Sequence, residues 1–180
     1  MKRILLVAAV TASMCINVAS QQNDPQTRDL IHALKSQGNF SVLLDLLSRA
    51  KLTDTTFNSG QQITLLAPND AAFAKLPKGV LDGVRQDPGK LRTLLLSHIL
   101  PGNIQINDML VPDPKVEGNT LLELKSVSGS MVSILCNLHT GEHHPRINAG
   151  SARIGKGDIL FSDGVVHEID TVLIMDTSRQ

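Results

Sequence analysis

The chain changes its pattern near the middle, and that change limits the fold more than any other feature. Residues 24–100 carry apolar residues at helical spacing, interrupted by one short run at 63–67 that begins with a β-branched pair. Residues 119–174 carry short apolar runs separated by turn signals, among them Ser-Gly-Ser at 128–130 and Asp-Gly at 163–164. Helices followed by strands predict an α+β fold, because an alternating parallel fold would need helices between its strands.

Local signals place the ends of helices in the first half. Asp-Pro at 24–25 predicts the start of a first helix, and Gly38 predicts its end. Asn39 is positioned to cap a second helix. A further Asp-Pro pair at 87–88 predicts the start of a helix that runs through Ile99 until Pro-Gly stops it. The strands are then supplied mainly by the C-terminal half.

The N-terminus has the three parts of a secretory signal peptide. A basic pair at residues 2–3 precedes an apolar run at 4–10, and small residues follow at 18–20. The apolar run is too short to span a bilayer as a helix. We therefore predict cleavage after Ser20, secretion without membrane insertion, and a single domain over residues 21–180.

Composition excludes several classes of function for the segment that follows the signal peptide. The full chain has 17 basic and 17 acidic residues, and loss of Lys2 and Arg3 leaves two more acids than bases. This balance lacks the positive surface of a nucleic-acid-binding protein. Trp and Tyr are absent, which argues against a carbohydrate-binding surface of exposed aromatic rings. Cys136 is the one cysteine after Ser20, so no intrachain disulfide can close a loop.

Motifs for catalysis are missing from the sequence. It contains neither a Gly-x-Ser-x-Gly nucleophile elbow nor a His-Glu-x-x-His zinc helix. Ser97 and His98 are adjacent on a predicted helix, where neighbouring side chains diverge by about 100° and cannot act as a pair. Cys136 and His139 are close in sequence, but a nucleophile needs an oriented base. We predict no enzyme activity, no catalytic residues and no cofactor.

Three segments together resemble the fasciclin domain family, including the domains of periostin-like matrix proteins. Residues 64–73 (TLLAPNDAAF) are similar to its first signature, and residues 91–100 (LRTLLLSHIL) to its central helix. Residues 157–173 (GDILFSDGVVHEIDTVL) are similar to its second signature and closing strand. The resemblance covers roughly residues 26–175. It implies helices packed on a wedge of β-sheets, and an extracellular adhesion or matrix role.

The same resemblance implies where a partner binds. Matrix proteins of this family are associated with integrin contact through a Tyr-His pair and an Asp-Ile pair. The corresponding positions here are Ser97-His98 and Asp158-Ile159. His98, Asp158 and Ile159 are therefore candidate receptor-binding residues, although Ser97 replaces the aromatic anchor. A structural alternative holds for His98 and for His167, because a buried imidazole is usually paired by hydrogen bonds.

The segment 139–144 (HTGEHH) is the most distinctive local feature, and it permits a different class of function. His139, His143 and His144 could bind zinc or copper. The alternative to adhesion is thus a ligand or metal carrier that uses this loop and a pocket between helices and sheet. Loop histidines are also commonly solvated, and a metal site needs convergent geometry.

One sequon for N-glycosylation is present, Asn39-Phe40-Ser41. Secretion by a eukaryotic cell would expose Asn39 to the glycosylation machinery. The competing interpretation is that Asn39 serves as a helix N-cap.

Overall fold

A computed structural model describes residues 29–52, 61–110, 119–137, 146–147 and 151–174 of the chain. The predicted signal peptide, residues 1–20, and the histidine-rich loop, residues 139–144, lie outside these ranges.

Six helices and eight strands occur in the described residues. The helices are α1 (Leu30–Gln37), α2 (Ser41–Arg49), α3 (Asp70–Ala74), α4 (Val80–Gln86), α5 (Pro88–Ser97) and α6 (Ile106–Met109). The strands are β1 (Ile63–Pro68), β2 (Ile99–Pro101), β3 (Asn119–Lys125), β4 (Met131–Asn137), β5 (Arg146–Ile147), β6 (Ala152–Arg153), β7 (Ile159–Phe161) and β8 (Gly164–Ile169). The predicted α+β class is confirmed.

The strands form two four-stranded sheets. Sheet A has the order β2-β1-β8-β7, and sheet B has the order β3-β4-β5-β6. Sheet B is antiparallel throughout. In sheet A, β1 runs parallel to β8 from the Ile63–Gly164 pair to the Pro68–Ile169 pair. The first and last strands of the fold therefore meet at the centre of sheet A.

Both faces of β1 are covered, which explains why all six of its residues are buried. Leu65 belongs to an apolar cluster with residues of α1, α2 and α5. Leu66 points to the opposite face and joins a second cluster with Val132 and Ile134 of sheet B. Sheet A thus lies between a helical layer and sheet B. Its strand β1 is apolar except for Thr64, whose hydroxyl donates to the Gly102 carbonyl, because neither face meets water.

The N-terminus of α2 is capped from outside the helix, and the prediction that Asn39 caps it is wrong. The N-cap residue is Phe40, which makes no side-chain cap bond. The Asp70 carboxylate instead accepts hydrogen bonds from the N–H groups of Ser41 (3.2 Å) and Val42 (2.8 Å) and from the Ser41 hydroxyl (2.7 Å). Burial opposes ionisation of Asp70, but these bonds keep its pKa below the ordinary value.

Replacement of Asp70 by alanine should therefore destabilise the domain. We expect the free energy of unfolding to fall by about 1–2 kcal/mol, since two N–H groups of α2 lose their acceptor. Urea denaturation followed by circular dichroism would measure the change. Asp82→Ala is the matched control, because this exposed acid on α4 has only a 3.9 Å contact with Arg85 and should change stability by less than about 0.5 kcal/mol. Equal effects of the two variants would contradict the remote cap.

Two other helix ends differ from the sequence prediction. Helix α1 begins at Leu30, where Asp29 is the N-cap and accepts from the Ile31 N–H; residues 24–25 lie outside the described ranges. Helix α5 begins as predicted, with Asp87 as its cap, but it ends at Ser97. Residues 99–101 form β2 instead of a last helical turn, because they gain antiparallel pairing with the buried strand β1.

Candidate functional site

His98 lies where α5 passes into β2, and its ring holds two separate segments together. The Leu173 N–H donates to Nε2 at 3.0 Å, so Nε2 carries no proton. Nδ1 then carries the proton and donates to the Leu94 carbonyl at 2.7 Å. The residue is only 2% exposed, and this burial lowers the pKa of His98 to about 4, against the opposing bond to Leu94.

The ring of His167, on β8, also joins two separate segments of the backbone by hydrogen bonds. The Asp158 N–H donates to its Nδ1 at 3.2 Å. Nε2 therefore carries the proton and donates to the Ile104 carbonyl at 2.7 Å. Burial lowers the pKa of His167, although the bond to Ile104 and the negative charge of Asp158 oppose the shift. In each histidine, a neutral ring supplies the acceptor for one backbone N–H group.

Asp158 is exposed and is fixed at a sharp turn in the backbone just before β7. Its φ angle of 55° lies in the left-handed region, which aspartate tolerates better than most residues. Its backbone N–H bonds to His167, and its carboxylate Oδ1 accepts from the Ile106 N–H at 3.0 Å. Ile159 is half-buried and packs on the helical-side core. The next residue, Leu160, is 61% exposed.

His98, His167 and Asp158 lie in one row that crosses the strands of sheet A. Leu66 stands opposite His167 in the β1–β8 register, and the Leu66 N–H donates to the His98 carbonyl. The Asp158 N–H reaches His167 from the other side. His98 and Asp158 are thus separated by three strand spacings, roughly 14 Å. The buried ring of His98 does not lie on the surface that presents Asp158.

Asn39 occupies a bridging position that competes with glycosylation. Its Nδ2, the atom that would carry a glycan, donates to Glu168 Oε1 at 3.0 Å. The Asn69 amide donates to the same oxygen at 2.6 Å, and the sequon hydroxyl of Ser41 bonds to Asp70. A glycan at Asn39 would leave Nδ2 one N–H group, so the sugar would have to fit beside the bond that joins the α1–α2 connection to β8.

The predicted metal ligands His139, His143 and His144 lie outside the described residues, so the metal alternative remains a sequence prediction. In the parts of the chain that the structure covers, no cluster of three or more His, Cys, Asp or Glu side chains could hold a metal ion.

A groove that the sequence did not indicate lies along α5. Its volume is about 470 Å³, and the residues that line it include Val84, Lys90, Leu94, Ser97 and Ile174. The groove combines residues from α4, from α5 and from the segment after β8, which are far apart in the sequence.

Comparison with known proteins identifies relatives over most of the chain. A family model described as Fasciclin domain matches residues 38–175. The chain is 30% identical to transforming growth factor-beta-induced protein ig-h3 of Sus scrofa over 85% of its own length and 20% of that protein. It is 33% identical to periostin of Homo sapiens over 65% of its own length and 12% of that protein. It therefore spans about a fifth or less of these two relatives.

A solved structure of a FAS1 domain pair from the insect cell adhesion molecule Fasciclin I is also similar. It matches 79% of this chain and 43% of its own, with 18% identity and a TM-score of 0.44.

None of the helices in the described parts of the chain combines the length and apolar character needed to cross a membrane.

Proposed function

The chain belongs to the fasciclin domain family, and on this basis we propose that it is a secreted adhesion or matrix module without enzyme activity. It acts by protein–protein contact with a cell-surface receptor, of which an integrin is one candidate, or with a matrix protein. The family match over residues 38–175 is the observation that carries this proposal.

The contact surface that we propose centres on Asp158. Its carboxylate is exposed, yet its backbone and one carboxylate oxygen are fixed by His167 and Ile106. A contact group that is already held in place loses little conformational freedom on binding, which favours affinity. Ile159 and Leu160 follow it directly, and the exposed Leu160 adds apolar surface beside the charge.

The role proposed for His98 is different from direct contact. Its ring is buried and bonded to Leu94 and Leu173, so a receptor could reach it only after local unfolding. We propose that His98 supports the domain, and that Asp158 and Ile159 supply the surface.

Cell attachment to surfaces coated with the purified protein tests this assignment. We expect Asp158→Asn to weaken attachment at least tenfold in half-maximal coating concentration, since an interface anchor contributes more than about 1.4 kcal/mol. The asparagine Oδ1 can still accept from Ile106, so the turn should remain folded. Asp82→Asn, an exposed acid on α4, is the control and should attach like the unchanged protein. Undiminished attachment by Asp158→Asn would contradict the proposed surface.

A further inference from the structure

Asp158 is held by two hydrogen bonds, one in which its backbone N–H is the donor and one in which its carboxylate is the acceptor. Its N–H donates to Nδ1 of His167, which requires a ring nitrogen without a proton. Its carboxylate is turned away from that bond and accepts from the Ile106 N–H, the first residue of α6. The present arrangement therefore exists only while His167 is neutral.

Protonation of His167 changes Nδ1 from a hydrogen-bond acceptor into a donor. The nitrogen becomes a donor, so the Asp158 N–H loses its acceptor and faces a second N–H group. The carboxylate of the same residue then becomes the natural partner, because an imidazolium–carboxylate bond joins two opposite charges. The Asp158 N–H bond to His167 joins two neutral groups, and the Ile106 N–H bond to Asp158 carries a charge on the carboxylate alone. Asp158 can thus bond to Nδ1 of His167 in both protonation states of the ring: through its backbone N–H when the ring is neutral, and through its carboxylate when the ring is charged.

Burial has the larger effect and lowers the pKa of His167, and the negative charge of the Asp158 carboxylate acts against that shift. The segment before α6 presents the Ile104 carbonyl, which the ring already engages through Nε2. The acid of α6, Asp108, accepts from the Gln105 N–H within its own turn. On the β1 side, the register partner is the apolar Leu66.

We propose that Asp158 and His167 form an acid-sensitive switch in which the protonated ring takes the Asp158 carboxylate from the Ile106 N–H. At neutral pH the carboxylate faces outward and fixes α6. At acid pH it turns inward to His167, and the N-terminus of α6 is released.

The backbone at Gly157 brings together the two groups between which Asp158 would exchange. A Cβ at Gly157 would overlap the Ile106 side chain and lie 3.0 Å from His167 Nδ1, so the backbone passes directly against both groups. Helix α6 has only four residues, and so short a helix depends on such outside contacts. Withdrawal of Asp158 would also remove the proposed contact group from the surface, a consequence that rests on the proposed function.

Two-dimensional ¹H–¹⁵N NMR between pH 7.5 and 4.5 tests the switch. We expect the amide signals of Ile106 and Asp158 to move together, with one midpoint that matches the His167 ring protons and lies below the ordinary value of about 6.5. His167→Gln and Asp158→Asn should each abolish the Ile106 movement. His32→Gln, at an exposed histidine of α1, is the control and should leave it unchanged.

Either of two results would overturn the switch: Ile106 and Asp158 amides that stay still while the His167 ring titrates, or an Ile106 movement that persists in Asp158→Asn. Attachment at pH 7.4 and 5.5 tests the consequence separately. The unchanged protein should lose attachment at pH 5.5 to the extent that the amide titration shows His167 to be protonated there, and His167→Gln should lose less. Absence of attachment at pH 7.4 would contradict the proposed function alone, because the amide titration decides the switch independently.

Discussion

Replacement of Gly164 by alanine should destabilise this domain severely, although it adds only one methyl group. Gly164 is the first residue of β8 and stands opposite Ile63 at the start of the central parallel pair. Its φ angle is 153°, a backbone conformation that side chains rarely adopt. A Cβ at this position would overlap the carbonyl oxygen of Ile63. The backbone of β1 would have to move, and β1 is buried on both faces.

We expect Gly164→Ala to lower the free energy of unfolding by about 3 kcal/mol or more, enough to unfold a marginal domain. Chemical denaturation, or the yield of folded protein, would measure the loss. Gly83→Ala provides the control, because Gly83 lies within α4 and a Cβ there would meet nothing within 4 Å. That control should gain about 0.5–1 kcal/mol. A loss below about 1 kcal/mol for Gly164→Ala would contradict the close approach of β8 to β1.

Acid should weaken the domain through its buried histidines well before the carboxylates titrate. The pKa of His98 is about 4 in the fold, against about 6.5 for an unfolded chain. Between these two values the unfolded state binds a proton that the folded state does not. Stability from this group is fully present above about pH 6.5 and is lost as the pH falls from there to about 4.

The expected loss from His98 is roughly 3 kcal/mol, spread over that interval. His167 contributes with the same sign, since burial lowers its pKa as well. Asp70 and Asp170 act later, because their pKa values are lowered from an ordinary value that is already near 3.8. Acid destabilisation above pH 4.5 should thus report on histidine.

Urea denaturation at several values between pH 7.5 and 4.5 would show this dependence. His98→Gln should be less stable at neutral pH, since two backbone partners are disturbed, but its stability should fall less steeply with acid. His32→Gln should keep the full slope. Stability that is constant from pH 7.5 to 5, or a slope in His98→Gln as steep as that of the unchanged protein, would contradict the role assigned to the buried ring.

The features that depend on neighbours in the sequence were predictable. The cap at Asp87, the hairpin turn at residues 128–130 and the turn at 163–164 were predicted from short signals, and the structure contains them. Each rests on contacts within a few residues, so local chemistry decides it. The resemblance likewise led to the family, because its three signatures keep their order along the chain.

Features that depend on distant segments were not predictable in this way. Asn39 has the side chain of an N-cap, yet Asp70 takes that role for Val42 from 28 residues away, and Asn39 bonds to Glu168 instead. Ile99 continues a helical pattern, but pairing with β1 makes it a strand. In both cases, hydrogen bonds formed across the fold outweigh a local preference of about 1 kcal/mol or less.

By itself, the sequence determined the fold class, several helix ends and turns, and the family, since these follow from periodicity, turn residues and signature segments. The tertiary structure alone decided which face each candidate residue occupies. It buried the ring of His98 and left Asp158 exposed, and it placed His167 where one proton can change the partner of Asp158. The reason is physical: burial and the identity of a hydrogen-bond partner are properties of what packs across the sheet, and no local pattern encodes them.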